Sequence, residues 1–252
     1  MTDAIALQDE GRRKHGLKDG RQAYVFDAYG TLFDVHAAVR RHAEAIGPDA
    51  QAFSDLWRVK QLEYTWVTSL MGQYRDFRAL TEDALDFCLG RFPDVDRSLR
   101  ADLLNAYRKL DCFVEVPTVL AKLRETGARI AILSNGTPEM LKEAVETAGI
   151  GAFIDDVFSI DPLKIYKTAP AAYALVTSTY RLAAPDIAFQ SSNRWDIAGA
   201  KAFGFTCHWI NRSGAPEEYA DLAPDMVFSS LEGLILDTCR TGPETTAKPS
   251  DR

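Results

Sequence analysis

Three short polar clusters each follow an apolar run. Asp27 follows residues 23–26, Ser134-Asn135 follows 129–133, and Ser191-Ser192-Asn193 follows 187–190. An apolar run that ends in a carboxylate and meets Gly30-Thr31 reads as a β-strand delivering an acid into a tight loop. Open α/β sheets bind ligands at that edge. The plain alternative is a strand-end acid that only caps a turn. Two residues on, Tyr29 stands where a two-carboxylate metal or phosphate site needs its second acid. Asp27 therefore reads as a nucleophile in a metal-free enzyme. Gly30 relieves crowding in the turn, and the Thr31 hydroxyl can tie the loop or bind a ligand.

The elements that must position these groups follow from periodicity. Residues 23–27 lack clean alternation, as expected of a strand covered on both faces. From about residue 50, Phe53, Leu56, Trp57, Gln61, Tyr64, Val67, Leu70, Met71 and Tyr74 recur mostly three or four apart. They predict one long amphipathic helix, with a break near Gly72. Thr81 is expected to cap a second helix carrying Leu85, Cys88 and Leu89. Leu99, Leu103, Ala106, Tyr107 and Leu110 mark a third. Residues 36–115 thus read as a small helical cap subdomain inserted after the first strand.

Strands and helices then alternate. Strands are expected at 129–133, 156–159, 187–190, 205–210 and 226–228. Helices are expected after Pro117, after Thr137-Pro138, around 170–179, around 195–203, and finally at Leu231, Leu234 and Ile235. This is an α/β pattern: a mostly parallel, Rossmann-like sheet with helices on both faces. The three polar strand ends can converge on one crevice, with the inserted helices as its roof. The division is a core of 22–35 and 116–238, a cap of 36–115, an N-terminal extension of 1–21 and a flexible tail of 239–252. The extension reads equally as a disordered leader, a misassigned start or an ordered arm.

The bulk numbers exclude several classes. The chain has 252 residues, 46% hydrophobic and 26% charged, the balance of a folded soluble protein. A net charge of -7 argues against nonspecific nucleic-acid binding. Cys88, Cys112, Cys207 and Cys239 are scattered and form no metal-ligand pair, so free thiols in a reducing compartment are expected. The histidines are not clustered either, so no zinc site is expected. No apolar stretch approaches the roughly 20 residues that span a bilayer. The leader lacks a secretion signal's apolar core, so a cytoplasmic location without membrane association is expected.

Several segments together resemble the L-2-haloacid dehalogenases of the haloacid dehalogenase superfamily. They are Phe26-Asp27-Ala28-Tyr29-Gly30-Thr31-Leu32-Phe33-Asp34, Trp57-Arg58, Lys60-Gln61-Leu62-Glu63-Tyr64, Ser134-Asn135-Gly136, Tyr166-Lys167 and Ser191-Ser192-Asn193-Arg194-Trp195-Asp196. The similarity covers about residues 22–236. The aspartate motif alone marks the superfamily, most of whose members are phosphatases; the cap pattern, Tyr29 and the last motif narrow it. The resemblance implies strand order 5-4-1-2-3, a homodimer, and no metal or cofactor. It implies hydrolysis of short (S)-2-haloalkanoates to (R)-2-hydroxyalkanoates and halide. The weighed alternatives are a magnesium-dependent phosphatase of the same superfamily and a non-catalytic small-ligand binding protein.

The resemblance also implies roles. Asp27 displaces halide and carries the ester, which water then attacks at the Asp27 carboxyl carbon. Arg58 and Asn135 meet the departing halide. Ser134 and Lys167 hold the substrate carboxylate, and Tyr173 orients Lys167. Thr31 bonds the nucleophile, while Ser191, Asn193 and Asp196 position Asp27, Lys167 and the water. Ala28, Tyr29, Phe77 and Trp195 line the pocket. Each has a plain alternative: a solvent-facing helix arginine, a surface lysine, core aromatics. Val59, Thr168, Gln190 and Arg194 depart from the family's usual residues and bear on substrate range, cap closure and rate.

Overall fold

The computed structural model describes residues 22–235. The expected extension, the tail and the end of the expected core, 236–238, lie outside them. Six strands form one sheet: β1 (Ala23–Phe26), β2 (Arg129–Ser134), β3 (Asp156–Ser159), β4 (Ile187–Ser191), β5 (Thr206–Ile210) and β6 (Met226–Phe228). Their order is β3-β2-β1-β4-β5-β6. Every pairing is parallel. This is the expected order with β6 added at one edge. β1 and β4 are buried along their whole length, because helices cover both faces.

β1 is the switch point. The chain leaves it to build β2 and β3 on one side, then crosses back to build β4 to β6 on the other. Phe26 pairs with Ile132 on one flank and with Gln190 on the other. The ends of β2, β1 and β4 therefore lie side by side, and the polar residues that follow them share one edge of the sheet.

Between β1 and β2 the chain is helical. Single turns at Ala37–Arg40 and Ala43–Ile46 precede the helices Ala50–Met71, Phe77–Arg91 and Arg100–Arg108. Helix Ala50–Met71 buries Phe53, Ser54, Trp57, Gln61, Thr65 and Thr68, one stripe at helical spacing. It stops where expected: Gly72 takes a left-handed conformation (φ 64°), and the N–H groups of Gly72 and Gln73 return to Ser69 and Thr68 carbonyls.

One helix start differs from expectation. Asp76, not Thr81, caps helix Phe77–Arg91, its carboxylate accepting the Ala79 N–H at 2.9 Å. Thr81 lies a full turn inside, buried, and its hydroxyl donates to the Phe77 carbonyl at 2.6 Å. Threonine serves both positions, and only the partner tells them apart.

The core helices are Val116–Glu125, Pro138–Thr147, Pro170–Tyr180 and Arg194–Phe203. Thr137 caps the second, as its Thr-Pro start predicts. Among the described residues no helix is long and apolar enough to cross a membrane.

Candidate active site

Asp27 follows β1 directly and is 5% exposed. Its backbone N–H still joins the sheet, donating to the Gln190 carbonyl at 2.9 Å. The loop then closes on Ala28, whose carbonyl accepts the N–H groups of Thr31, Leu32 and Phe33. Gly30 makes that turn possible with φ 94°, which a residue bearing Cβ rarely adopts.

Three donors hold the Asp27 carboxylate. Lys167 Nζ donates to Oδ1 at 3.1 Å. Thr31 Oγ1 and Asn193 Nδ2 donate to Oδ2 at 3.1 and 2.8 Å. The Thr31 proton is aimed, because its oxygen already accepts the Ser192 N–H at 2.8 Å. Asn193 also donates to the Tyr29 carbonyl at 3.1 Å, and Ser191 Oγ accepts the Asn193 N–H at 3.1 Å. Ser191 thus shapes the loop that presents Asn193.

Lys167 joins two carboxylates. Its ammonium donates to Asp196 Oδ2 at 2.7 Å, and both side chains are fully buried. Tyr173 donates to the other Asp196 oxygen at 2.8 Å. Asp196 stands on the first turn of helix Arg194–Phe203, three residues after Asn193, so both face β1. Burial is the main influence that pushes Asp196 up to about 6; Asp27 adds to it and Lys167 opposes it. For Lys167 burial is again the largest influence and favours the neutral amine. The two carboxylates together outweigh it and hold Lys167 above the ordinary lysine range.

Arg58 reaches down from helix Ala50–Met71. Its Nη2 donates to the Tyr29 carbonyl at 3.0 Å and to Asn193 Oδ1 at 3.3 Å. A cap arginine therefore ends on the asparagine that holds the nucleophile. Beside it, Tyr29 stacks on Tyr107 (centroids 5.7 Å, planes 18° apart) and meets Phe77 at 5.5 Å. Burial pushes the Tyr29 phenol well above its ordinary range, so it stays neutral. Gly136 makes room for this ring: a Cβ there would lie 2.9 Å from Tyr29 Cε2.

Ser134 and Asn135 end β2 in the same crevice. Ser134 Oγ accepts the Gly136 N–H at 3.2 Å. Asn135 Oδ1 accepts the Lys167 N–H at 3.1 Å, which leaves the amide NH2 to donate elsewhere. Trp195 stands apart from this group. Its ring meets Trp66 edge-on at 5.5 Å and lines a separate cavity of about 600 Å³ with Thr168, Pro170 and Tyr219.

The unusual neighbours have structural partners. Val59 points out and is 56% exposed. Gln190 lies buried against His208. Arg194 is buried, with Nε on Glu217 at 2.6 Å and Nη2 on the Tyr219 and Leu222 carbonyls. Sequence reasoning missed Gln61, Thr81 and Tyr107 around Arg58. It also missed Arg212, whose Nη2 pins the Thr31 carbonyl at 3.0 Å while Nη1 holds Glu115. The one available signal was a glutamine three residues after Arg58, inside an otherwise apolar period. Among the described residues no three His, Cys, Asp or Glu side chains are grouped to hold a metal ion.

A parallel sheet with a strand-end aspartate held by Lys, Thr and Asn, beneath an inserted helical segment, defines a hydrolase class. Residues 22–204 match the family model for haloacid dehalogenase-like hydrolases. The chain is 44% identical to (S)-2-haloacid dehalogenase 4A of Burkholderia cepacia over 82% of its own length and 90% of that protein. It is 43% identical to (S)-2-haloacid dehalogenase 1 of Pseudomonas sp. strain CBS-3, over 86% and 96%. It also superposes on the L-2-haloacid dehalogenase of Xanthobacter autotrophicus with chloropropionic acid covalently bound. There the TM-score is 0.76 and the identity 35%, covering 85% of this chain and 96% of that one. The chain belongs to the haloacid dehalogenase-like hydrolases and, within them, to the (S)-2-haloacid dehalogenase family.

Proposed function

We propose that this protein hydrolyses short-chain (S)-2-haloacids to (R)-2-hydroxyacids and halide through an ester on Asp27. The observation that carries the reading is the grip of Lys167, Thr31 and Asn193 on Asp27, with Arg58 bonded to the same Asn193. A carboxylate is a weak nucleophile in water; a buried one, fixed by donors, is oriented and stripped of solvent. One Asp27 oxygen attacks the halogen-bearing carbon from behind. The carbon–halogen bond breaks, the halide leaves with its electron pair, and the configuration inverts. Water then attacks the Asp27 carboxyl carbon, so the alcohol departs without a second inversion.

The remaining donors have work to do. Lys167 uses two of its three N–H bonds on Asp27 and Asp196; with Ser134 the third takes the substrate carboxylate. The Arg58 guanidinium and the Asn135 amide stabilise the charge growing on the halide. Phe77 and Tyr29 wall the pocket, and Trp195, expected there, stands apart against Trp66. A phosphatase needs an acid to protonate its leaving oxygen; halide needs none, which suits Tyr29. Residues 36–115 act as a cap over a core of 22–35 and 116–238. A cytoplasmic location suits Cys88, Cys112 and Cys207, which are free thiols.

The direct test incubates the protein with (S)- and (R)-2-chloropropionate plus a chelator. Chloride and (R)-lactate from the S acid alone are expected. Chelator-sensitive phosphate release without halide release sinks the reading.

Asp196 is the base that takes the proton from the attacking water. It must be ionised, and burial raises its pKa to about 6. Ester hydrolysis is therefore expected to slow below that pH by roughly tenfold per unit. Asp196→Asn should remove this acid limb along with most of the rate. A limb that persists in the residual activity would assign the proton to another group.

We also read the protein as a homodimer. Val67, Leu70 and Met71 form an exposed apolar side of helix Ala50–Met71, with Leu70 88% exposed. Twice the chain mass is expected in sedimentation equilibrium, and Leu70→Lys should shift it towards the monomer.

A further inference from the structure

Nη2 of Arg58 is held by the core, at the Tyr29 carbonyl and Asn193 Oδ1, while Nη1 is held from within the cap by one buried glutamine, and hydroxyl polarity decides which way that amide faces. Thr81 Oγ1 spends its single proton on the Phe77 carbonyl at 2.6 Å. Towards Gln61 it can only accept, so the group 2.7 Å away is the amide nitrogen. The amide oxygen is thereby turned to Arg58 and accepts Nη1–H at 2.7 Å. Tyr107 OH closes the far side, 3.0 Å from Nε2 and 3.2 Å from Oε1. Trp57 Nε1 in turn donates to the Thr81 carbonyl at 2.9 Å. Gln61, Thr81 and Tyr107 are 1%, 3% and 5% exposed.

A helix arginine on a solvated face carries no such harness. The residue type also matters. A glutamate at 61 would neutralise the guanidinium, and a leucine would free its Nη1 side, leaving the fork held only through Nη2. An amide holds the fork still and leaves its full charge available. We propose that Gln61, its amide direction set by Thr81, is the positioning residue for halide departure, a role that rests on the dehalogenase reading. Gln61 touches no reacting atom; it acts through Arg58.

The signature is leaving-group dependence. kcat/KM reports events up to the first irreversible step, here the displacement. Chloride is a poorer leaving group than bromide and depends more on a well-placed cation. Gln61→Leu and Gln61→Glu are expected to lower kcat/KM by about a hundredfold on (S)-2-chloropropionate and only about tenfold on (S)-2-bromopropionate. Thr81→Val removes the acceptor but leaves Gln61 and Arg58 in place. It should change the chloro-to-bromo ratio in the same direction by a smaller factor, and it decides the matter if the Gln61 variants do not fold. Equal losses on both acids, or no loss, in variants with native melting curves would overturn the proposal. Wild-type protein that releases halide from neither acid would instead fail the dehalogenase reading, so the two failures are distinguishable.

Discussion

Asp27→Asn is expected to abolish steady halide release, a loss of about 10⁴-fold or more, as when other covalent nucleophiles are removed. The change is nearly isosteric, which isolates the chemistry. The amide oxygen can still accept from Thr31 and Asn193 in the place of Oδ2. Its NH2 then faces Lys167 Nζ, a donor against a donor where Oδ1 now accepts at 3.1 Å. The variant therefore loses its nucleophile and one buried ion pair together, and a lowered melting temperature should accompany the lost rate. Halide release that recovers over hours would mark deamidation back to aspartate, so freshly prepared protein is the fair sample. A single turnover of wild-type protein in heavy-oxygen water gives the sharper reading. Water attacks the Asp27 carboxyl carbon, so the first label enters the protein on the peptide containing Asp27. Label found first in the hydroxyacid would mean direct attack of water on the substrate and would end the ester mechanism.

Asp27 was legible because its signal is local: an apolar run, an acid, then a glycine that permits the turn. Ser134 and Asn193 were legible for the same reason, since each lies at or just past a strand end and strand ends share an edge; Asp196, further along the helix, was picked out by likeness to a family. Lys167 carried no such signal. It sits in a loop whose position depends on packing, and only likeness to a family picked it out. Gln61 was hidden by the opposite effect. It falls on the buried stripe of a long helix, where periodicity reports burial but not which polar atom faces which partner. Thr81 was misplaced because threonine both caps helices and bonds back within them; Asp76 took the cap and freed Thr81 for Gln61. Trp195 shows a limit of motif reading. Its place between Asn193 and Asp196 put it near the chemistry, yet one residue along a helix is a rotation of about 100°, and its ring meets Trp66 instead.

Lys167→Met should be the most damaging change for fold and activity together. The ammonium is the cation shared by Asp27 and Asp196, at 3.1 and 2.7 Å, inside a fully buried cluster. Methionine fills most of the same volume, so the loss is mainly of charge. Breaking a buried ion pair by removing one partner costs about 3–5 kcal/mol, because the remaining charge is left uncompensated. Here two carboxylates remain, and one of them must take a proton. Either outcome harms catalysis: a protonated Asp27 cannot attack, and a protonated Asp196 cannot accept the proton of water. A loss of at least about 10³-fold in kcat is expected. The pH dependence of stability separates charge from packing. Asp196 already has a raised pKa in the folded state, so the stability linked to its protonation is fully present at low pH. That stability is lost as pH rises through about 6. Without Lys167 the folded-state pKa rises further, and the variant gains more from acid than the wild type does. Urea unfolding at pH 7 and pH 5 should therefore show the gap between variant and wild type narrowing at pH 5. An equal gap at both values would mean that Lys167 holds the core by the packing of its side chain and not by its charge.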